Sequence, residues 1–413
     1  MDYFIENKCQ VGVVEIPASK SYAQRAILAA SLSRKRTHII NTGSSDDVRN
    51  IIGIAKQIGA SVSQSNGDVF ITGFVNKSNR ELNVGESGLG IRLTTSICAI
   101  LKGNFHLTGE GSLVKRSMAE FEHFLPQLGI KCSLNNGFLP IELNGEAVPG
   151  IIHLDGRISS QYLSGLLMAL PLLDGNSTVI VDRLKSKPYI DITLDVLKSF
   201  GIAISNDSYR HFKISGNQTY QCDDTYIVEG DYSGASIWMV HGALKAGVQI
   251  RGLKKKTEQG DQKILDALSQ ANVSFKWMNE ELIVEKSAVS PFEFDANECP
   301  DLFPALVVLA AGAKGTSKIS GVQRLLHKES NRALVLQKEF AKLGLVIELD
   351  KDHMYVHGTG NLKSGEVDSN DDHRIAMAGA IAASLTTEGI TITSAESVNK
   401  SYPNFWKHFK SPQ

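Results

Sequence analysis

Six short stretches of this sequence place Ser, Gly or Asp, several with a nearby cation, where a helix would begin. They read Ser19-Lys20-Ser21-Tyr22-Ala23-Gln24-Arg25, Gly85-Glu86-Ser87-Gly88-Leu89-Gly90-Ile91-Arg92, Ser159-Ser160-Gln161, Asp231-Tyr232-Ser233-Gly234-Ala235-Ser236, Pro300-Asp301 and Asp372-His373-Arg374. The unpaired N–H groups of a helix start, together with the positive end of its dipole, attract anions. Ser and Asp are also ordinary helix caps, and any one stretch alone reads as capping. Capping is a poor account of six. Loops between these stretches add Lys115-Arg116, Lys185-Ser186-Lys187, Lys254-Lys255-Lys256, Lys328 with Arg332, and Lys400. The run Lys254-Lys255-Lys256 reads as a solvated face. The others point to a multiply anionic small ligand, because Arg and Lys hold carboxylate and phosphate by charge-assisted hydrogen bonds. Nucleic acid fits less well, since no stacking aromatics interleave these loops.

The elements that must position these residues repeat along the chain. A helical stretch, a Gly or Asn, and an alternating strand recur with the Gly/Asn at positions 59, 129, 201, 272 and 344, so successive copies lie 70 to 72 residues apart. Gly and Asn tolerate the left-handed conformation that ends a helix. Hairpins follow, turning at Asn66-Gly67, Asn136-Gly137, Asn279-Glu280 and Asp350-Lys351-Asp352. Upstream of each lies another helix with a polar start, opening near Ser21, Ser87, Ser159, Ser233, Pro300 and Asp372. The pattern predicts six copies of helix, strand, helix, hairpin.

The sixth copy ends around Asn404 to Phe409 without a hairpin, and the pair Tyr3–Glu6 and Val11–Ile16 is expected to supply its missing strands. That closure predicts a three-repeat domain over 20–229 and a second over 1–19 plus 230–413. The fold class is α/β (α+β), with two pseudo-symmetric domains. Two crossings, near 19–20 and 229–231, would serve as a hinge that closes over a ligand.

Composition excludes several classes of function. Among 413 residues, Lys plus Arg is 43 and Asp plus Glu is 44, which leaves no global cationic excess for coating nucleic acid. An apolar fraction of 42% suits a packed core rather than a disordered chain. Five scattered cysteines, with no C-x-x-C, argue against a disulfide framework or a zinc knuckle. His373 has no second His near enough in sequence to suggest a metal pair, and no metal is expected. The longest apolar run, Leu302 to Ala313, contains Pro304 and is too short to span a membrane. We expect a soluble, cytoplasmic protein with no nucleic-acid or membrane partner.

Segments within this frame resemble the 5-enolpyruvylshikimate-3-phosphate synthases of the enolpyruvyl transferase family. They are Pro17-Ala18-Ser19-Lys20-Ser21, Leu107-Thr108-Gly109-Glu110, Ser159-Ser160-Gln161-Tyr162-Leu163-Ser164, Ser186-Lys187-Pro188-Tyr189-Ile190-Asp191, Val228-Glu229-Gly230-Asp231, Pro300-Asp301, Lys328-Glu329-Ser330-Asn331-Arg332 and Asp372-His373-Arg374-Ile375-Ala376-Met377. The resemblance implies an inside-out α/β barrel fold with the active site between two domains. It implies transfer of the enolpyruvyl group of phosphoenolpyruvate to shikimate 3-phosphate, in the pathway to chorismate and the aromatic amino acids. The substrates together bring about six negative charges at neutral pH. By the same resemblance, Lys20, Ser21, Arg25, Ser159, Ser160, Gln161, Ser186, Asp301 and Lys328 would hold shikimate 3-phosphate. Lys20, Gly88, Arg116, Gln161, Arg332, Arg374 and Lys400 would hold phosphoenolpyruvate. Asp301 would be the base for the acceptor hydroxyl, with Glu329 and Lys20 handling the other proton. No metal or organic cofactor is implied, and a monomer is expected. Many members carry Asn, Thr and Pro where this chain has Glu86, Leu89 and Leu93, so Glu86 would set an anion beside the phosphoenolpyruvate carboxylate. The related transferase acting on UDP-N-acetylglucosamine uses a loop cysteine, and the matching loop here, Gly109 to Ser117, has none. A non-catalytic anion-binding relative would be expected to lose Asp301 or Glu329, and both are present.

Overall fold

A computed structural model describes residues 1–9, 11–65, 67–73, 80–326 and 328–409; Asn66 of the first hairpin turn lies outside them. Six helices, Lys20–Leu32, Gly88–Ile100, Ser160–Ala169, Tyr232–Leu244, Phe303–Gly312 and His373–Ala382, are buried almost all round. Their composition explains this, because small and apolar residues cover every face rather than one stripe. The second helices, such as Asp46–Gln57, Pro188–Ser199 and Arg332–Lys342, keep an exposed polar face. All five repeat positions end their helices in the left-handed region, with φ of 110° at Gly59, 82° at Gly129, 74° at Gly201, 61° at Asn272 and 81° at Gly344.

Each repeat builds one small sheet on the outside of these helices. In the first, Thr37–Ile40 pairs antiparallel with Asp68–Thr72, which pairs with Ser61–Ser65. The sheets alternate buried and exposed residues, as in His211–Ile214, where Phe212 and Ile214 face the core. Hairpin turns with two successive positive φ values occur at Asn136-Gly137, Ser208-Tyr209 and Asn279-Glu280, the geometry that matches strand twist.

The chain forms two compact units, one of residues 1–17 with 229–413 and one of residues 18–228. The crossings therefore lie between 17 and 18 and between 228 and 229. Among the described residues, the 18–228 unit holds three four-stranded sheets, and the other holds two four-stranded sheets and one of three strands. Each four-stranded sheet has a parallel pair followed by an antiparallel hairpin. The N-terminal strands do not both complete the sixth copy. Tyr3–Glu6 does, antiparallel to Gly389–Thr393, but Val13–Glu15 instead runs parallel to Val248–Arg251 in the fourth. The cause lies at the other crossing. The strand before the fourth copy's helix, Thr225–Ile227, pairs with Thr37–Ile40 in the first copy, so the fourth would otherwise lack its parallel edge.

In the unit 1–17 with 229–413, helices Tyr232–Leu244, Phe303–Gly312 and His373–Ala382 pack on one another, with Trp238 fully buried. In the unit 18–228, helices Gly88–Ile100 and Ser160–Ala169 pack closely. Gly165 permits this, because a Cβ there would lie 2.6 Å from the Arg92 carbonyl oxygen. The five cysteines form no disulfide, and among the described residues no helix is long and apolar enough to cross a membrane.

Candidate active site

The helix starts carry the polar residues of both units. In the 18–228 unit, Lys20 opens its helix and its Nζ lies 2.9 Å from Asp47 Oδ2, at the start of helix Asp46–Gln57. One turn on, Arg25 is fully buried. It donates from Nε to Thr193 Oγ1 at 2.8 Å, and from Nη1 to the Ser21 carbonyl at 2.8 Å. From Nη2 it reaches Ser164 Oγ at 3.3 Å and the Tyr189 carbonyl at 3.1 Å. Every partner is a neutral oxygen. Burial pulls the Arg25 guanidinium down to about 10. Ser186 has a φ of 58°, and its carbonyl accepts the Tyr189 N–H at 3.2 Å, which joins this loop to the Arg25 network.

A second group in the same unit gathers Gly88, Arg92, Arg116, Ser117, Gln161 and Tyr162. Arg92 Nη1 donates to the Gly88 carbonyl at 2.9 Å and to Gln161 Oε1 at 3.2 Å, while its guanidinium lies 5.0 Å from the Tyr162 ring centre. The Arg116 guanidinium lies against Gly88, where a Cβ would have to push the end of that side chain aside. Ser159 caps its helix by accepting the Gln161 N–H at 3.3 Å, and Ser160 is buried beside it. The Ser87 hydroxyl donates to Gln24 Oε1 at 2.9 Å, tying the first two helix starts together. Glu86 is exposed and its carboxylate accepts from the Ser112 hydroxyl at 3.4 Å.

In the unit 1–17 with 229–413, the cations meet carboxylates. Asp301 Oδ1 accepts from Lys328 Nζ at 3.1 Å and Arg332 Nη1 at 3.0 Å, and Oδ2 accepts from Arg374 Nη2 at 3.1 Å. Arg332, fully buried, also reaches Glu329 Oε2 at 2.8 Å and Asp372 Oδ2 at 2.9 Å. Asp372 in turn caps helix His373–Ala382 by accepting the Arg374 N–H at 3.0 Å. Arg374 Nη1 donates to the Ser233 hydroxyl, whose residue's N–H is held by Asp231 at 2.8 Å. Lys400 ends the turn Ala395–Lys400, packed on helix His373–Ala382. Burial opposes ionisation of Asp301, yet Arg374, Lys328 and Arg332 outweigh it and hold the carboxyl well below the ordinary carboxylate range. Burial lowers Lys328, and the Asp301 charge opposes that only in part. For Arg332 the order reverses: burial would lower it, but Asp372, Glu329 and Asp301 together raise it.

The structure thus brings Asp301, Lys328, Glu329, Arg332 and Arg374 into one ion-paired cluster in one unit. In the other it forms two groups, Lys20, Ser21, Arg25 and Ser186 with Tyr189, and Gly88, Arg116 and Gln161 with Arg92. Sequence reasoning did not single out Asp47, Arg92, Tyr189, Ser164 or Thr193 for these groups. Arg92 and Tyr189 stood inside motifs that the sequence offered. Asp47 carried only a helix-start signal, and its pairing with Lys20 emerges from the fold.

Comparison with known proteins bears on the family and the fold. The family model described as EPSP synthase (3-phosphoshikimate 1-carboxyvinyltransferase) matches residues 6–409. A 3-phosphoshikimate 1-carboxyvinyltransferase of Clostridium kluyveri is 38% identical over 403 residues, covering 97% of this chain and 94% of that one. That of Clostridium acetobutylicum is 38% identical over 412 residues, covering 97% and 95%. Among solved structures, EPSP synthase from Acinetobacter baumannii superposes with a TM-score of 0.82 at 23% identity, over 99% of this chain and 97% of that one. The enolpyruvyl transferase NikO from Streptomyces tendae gives 0.81 at 15%, over 98% and 96%. These two likenesses establish the enolpyruvyl transferase fold. A family match over nearly the whole length, with relatives at this identity, establishes more: the chain belongs to the EPSP synthase family.

Proposed function

We propose that this chain transfers the enolpyruvyl group of phosphoenolpyruvate to the 5-hydroxyl of shikimate 3-phosphate and releases phosphate, acting as a cytoplasmic monomer on two small anions without metal or organic cofactor. The observation that carries the reading is the Asp301 cluster: a carboxylate held by Lys328, Arg332 and Arg374 within a chain of this family. In the addition step the 5-hydroxyl oxygen bonds to C2 of phosphoenolpyruvate, its proton leaves, and the methylene C3 gains a proton. The tetrahedral adduct then loses a proton from C3 and expels phosphate, restoring the double bond.

Asp301 takes the hydroxyl proton in this scheme, and Glu329 and Lys20 exchange the proton at C3. A carboxylate paired to three cations is a weak base, because its proton affinity is low. An anionic substrate that draws Arg332 and Arg374 toward its own phosphate and carboxylate would release Asp301 and raise its basicity when the reaction needs it. Arg25, with only neutral partners, is suited to a phosphate of the acceptor, and Ser21, Ser159, Ser160, Gln161, Ser186 and Lys328 would complete that site. Lys20, Gly88, Arg116, Gln161, Arg332, Arg374 and Lys400 would hold phosphoenolpyruvate. The cations also stabilise the charge of the adduct. The deciding experiment is a phosphate-release assay with phosphoenolpyruvate and either shikimate 3-phosphate or UDP-N-acetylglucosamine as acceptor. Release with the first alone is expected; release only with the second overturns the reading.

A further inference from the structure

The segment from Glu229 to Ser233 ends at the serine whose hydroxyl accepts Arg374 Nη1. From Gly230 on, each of its N–H groups has an acceptor. Gly230 donates to the Gly252 carbonyl at 3.0 Å and Asp231 to the Pro17 carbonyl at 2.9 Å. Tyr232, the first residue of helix Tyr232–Leu244, donates to Gln259 Oε1 at 3.1 Å, and Ser233 to Asp231 Oδ1 at 2.8 Å. The first N–H groups of a helix have no partner within it, so whatever holds the Tyr232 N–H bears on where the helix begins.

Gln259 is 6% exposed and grips this segment with both halves of its amide. While Oε1 accepts from Tyr232, Nε2 donates to Glu229 Oε1 at 2.6 Å and to the Gly230 carbonyl at 2.8 Å. The Gln259 N–H donates to Thr257 Oγ1 at 3.1 Å, and that hydroxyl donates in turn to Glu229. The same loop holds the far end of Tyr232, whose hydroxyl donates to the Lys254 carbonyl at 2.7 Å and accepts from Gln262 Nε2 at 3.1 Å. Asp231 already supplies an ordinary cap. The Gln259 amide adds a second fastening, which runs from Glu229 through Tyr232 and draws on the donor and acceptor atoms that an amide offers together.

We infer that Gln259 is a positioning residue for enolpyruvyl transfer: by fixing the backbone from Glu229 to Tyr232 it sets the place of the Ser233 hydroxyl, and through that hydroxyl the place of the Arg374 guanidinium. The inference rests on the reading of this chain as an enolpyruvyl transferase in which Arg374 meets phosphoenolpyruvate. Arg374 is held at Nη1 by Ser233 and at Nη2 by Asp301, 3.1 Å away, so two contacts orient its plane. With the Ser233 contact displaced, the guanidinium can turn about the Asp301 contact. A turned fork no longer matches a phosphate or carboxylate with two parallel hydrogen bonds.

The test is steady-state phosphate release by the full chain at saturating shikimate 3-phosphate, for the parent, Gln259→Met, Ser233→Ala and the double variant. Met keeps the length of Gln and removes both halves of the amide. The KM for phosphoenolpyruvate should rise about fivefold or more in Gln259→Met, while the dissociation constant of shikimate 3-phosphate, by calorimetric titration, stays within about twofold. A merely structural role lowers the folded fraction, which reduces kcat and leaves KM where it was. Because both residues act on one guanidinium, Ser233→Ala should raise the same KM, and the double variant should exceed the larger single effect by less than about twofold. Thr257→Val removes the hydroxyl that supports Gln259 and should raise this KM in the same direction; it takes the place of Gln259→Met if that variant does not fold. In an active parent, an unchanged KM, or single effects that multiply in the double variant, overturns the inference. A parent that releases no phosphate from phosphoenolpyruvate overturns the functional reading and the inference with it.

Discussion

In the 18–228 unit, Arg25 is wholly buried and donates only to hydroxyl and carbonyl oxygens, whereas Arg332 in the other unit, buried to the same degree, meets Asp301, Glu329 and Asp372. Arg92 follows Arg25, with carbonyls, a Gln amide oxygen and a Tyr ring around it. A guanidinium among neutral oxygens carries a charge that its own surroundings do not cancel, so an anionic ligand would face no rival carboxylate there. One already matched by carboxylates yields to a ligand only by exchanging partners. On the proposed reading, the difference separates a site prepared for binding from one prepared for a change of protonation, and removal of each cation should test it.

The largest effect is expected for Arg332→Met. It would leave Asp372, which is 0% exposed, together with Glu329 and Asp301, short of a cation, and removing one side of a buried charge group costs about 3–5 kcal/mol. Denaturant unfolding measures it, and a loss below about 1 kcal/mol would break the comparison, since the carboxylates would then not depend on Arg332. Asp301→Asn comes next. Turnover should fall by about 10² or more while affinity for shikimate 3-phosphate, measured by calorimetric titration, changes less than about tenfold. A folded variant within about threefold of the parent would remove Asp301 from the chemistry and leave Glu329 as the base.

Arg25→Met should be gentler on the fold than Arg332→Met. It strands hydroxyls and carbonyls but no carboxylate, so a stability loss of no more than about 2 kcal/mol is expected, with a much larger loss of shikimate 3-phosphate binding. Equal destabilisation by the two Met variants would erase the distinction between the units. The smallest effect concerns pH. Burial, and then the Asp301 charge, push the carboxyl of Asp261 in the turn Gly260–Lys263 up to about 7, so it contributes stability that is full below about pH 4 and lost as pH rises through about 7. Asp301, depressed, contributes in the opposite sense: its share is present above the ordinary carboxylate value and lost as pH falls through its lowered one. Thermal midpoints of Asp261→Asn should therefore decline less than the parent's between about pH 4 and about pH 7, with the acid limb kept. An unchanged slope in that window would mean that Asp261 is already ionised there.

The repeat frame was legible in the sequence because its signals are local. A left-handed residue after a helix, a hairpin turn and a continuous apolar helix each announce themselves within a dozen residues, and Gly59, Gly129, Gly201, Asn272 and Gly344 recur at one period. The strand partners were not. Val13–Glu15 and Thr225–Ile227 are three residues each, and nothing within them says which sheet they join. Candidate site residues lying in motifs were legible for the same reason as the repeats. Asp47 was not, because what matters about it is a neighbour from another element, Lys20.

The strand arrangement also bears on synthesis. Residues 18–228 are continuous, and their three sheets, Thr225–Ile227 included, are complete once that stretch has left the ribosome. Tyr3–Glu6 emerges near the start yet pairs with Gly389–Thr393, so it waits for nearly the whole chain. At about 5–20 residues per second that delay is tens of seconds, during which a nascent β-edge stays unpartnered. The brevity of the two early strands, four and three residues, makes that wait safer, since a short edge is a poor template for pairing with a neighbouring nascent chain.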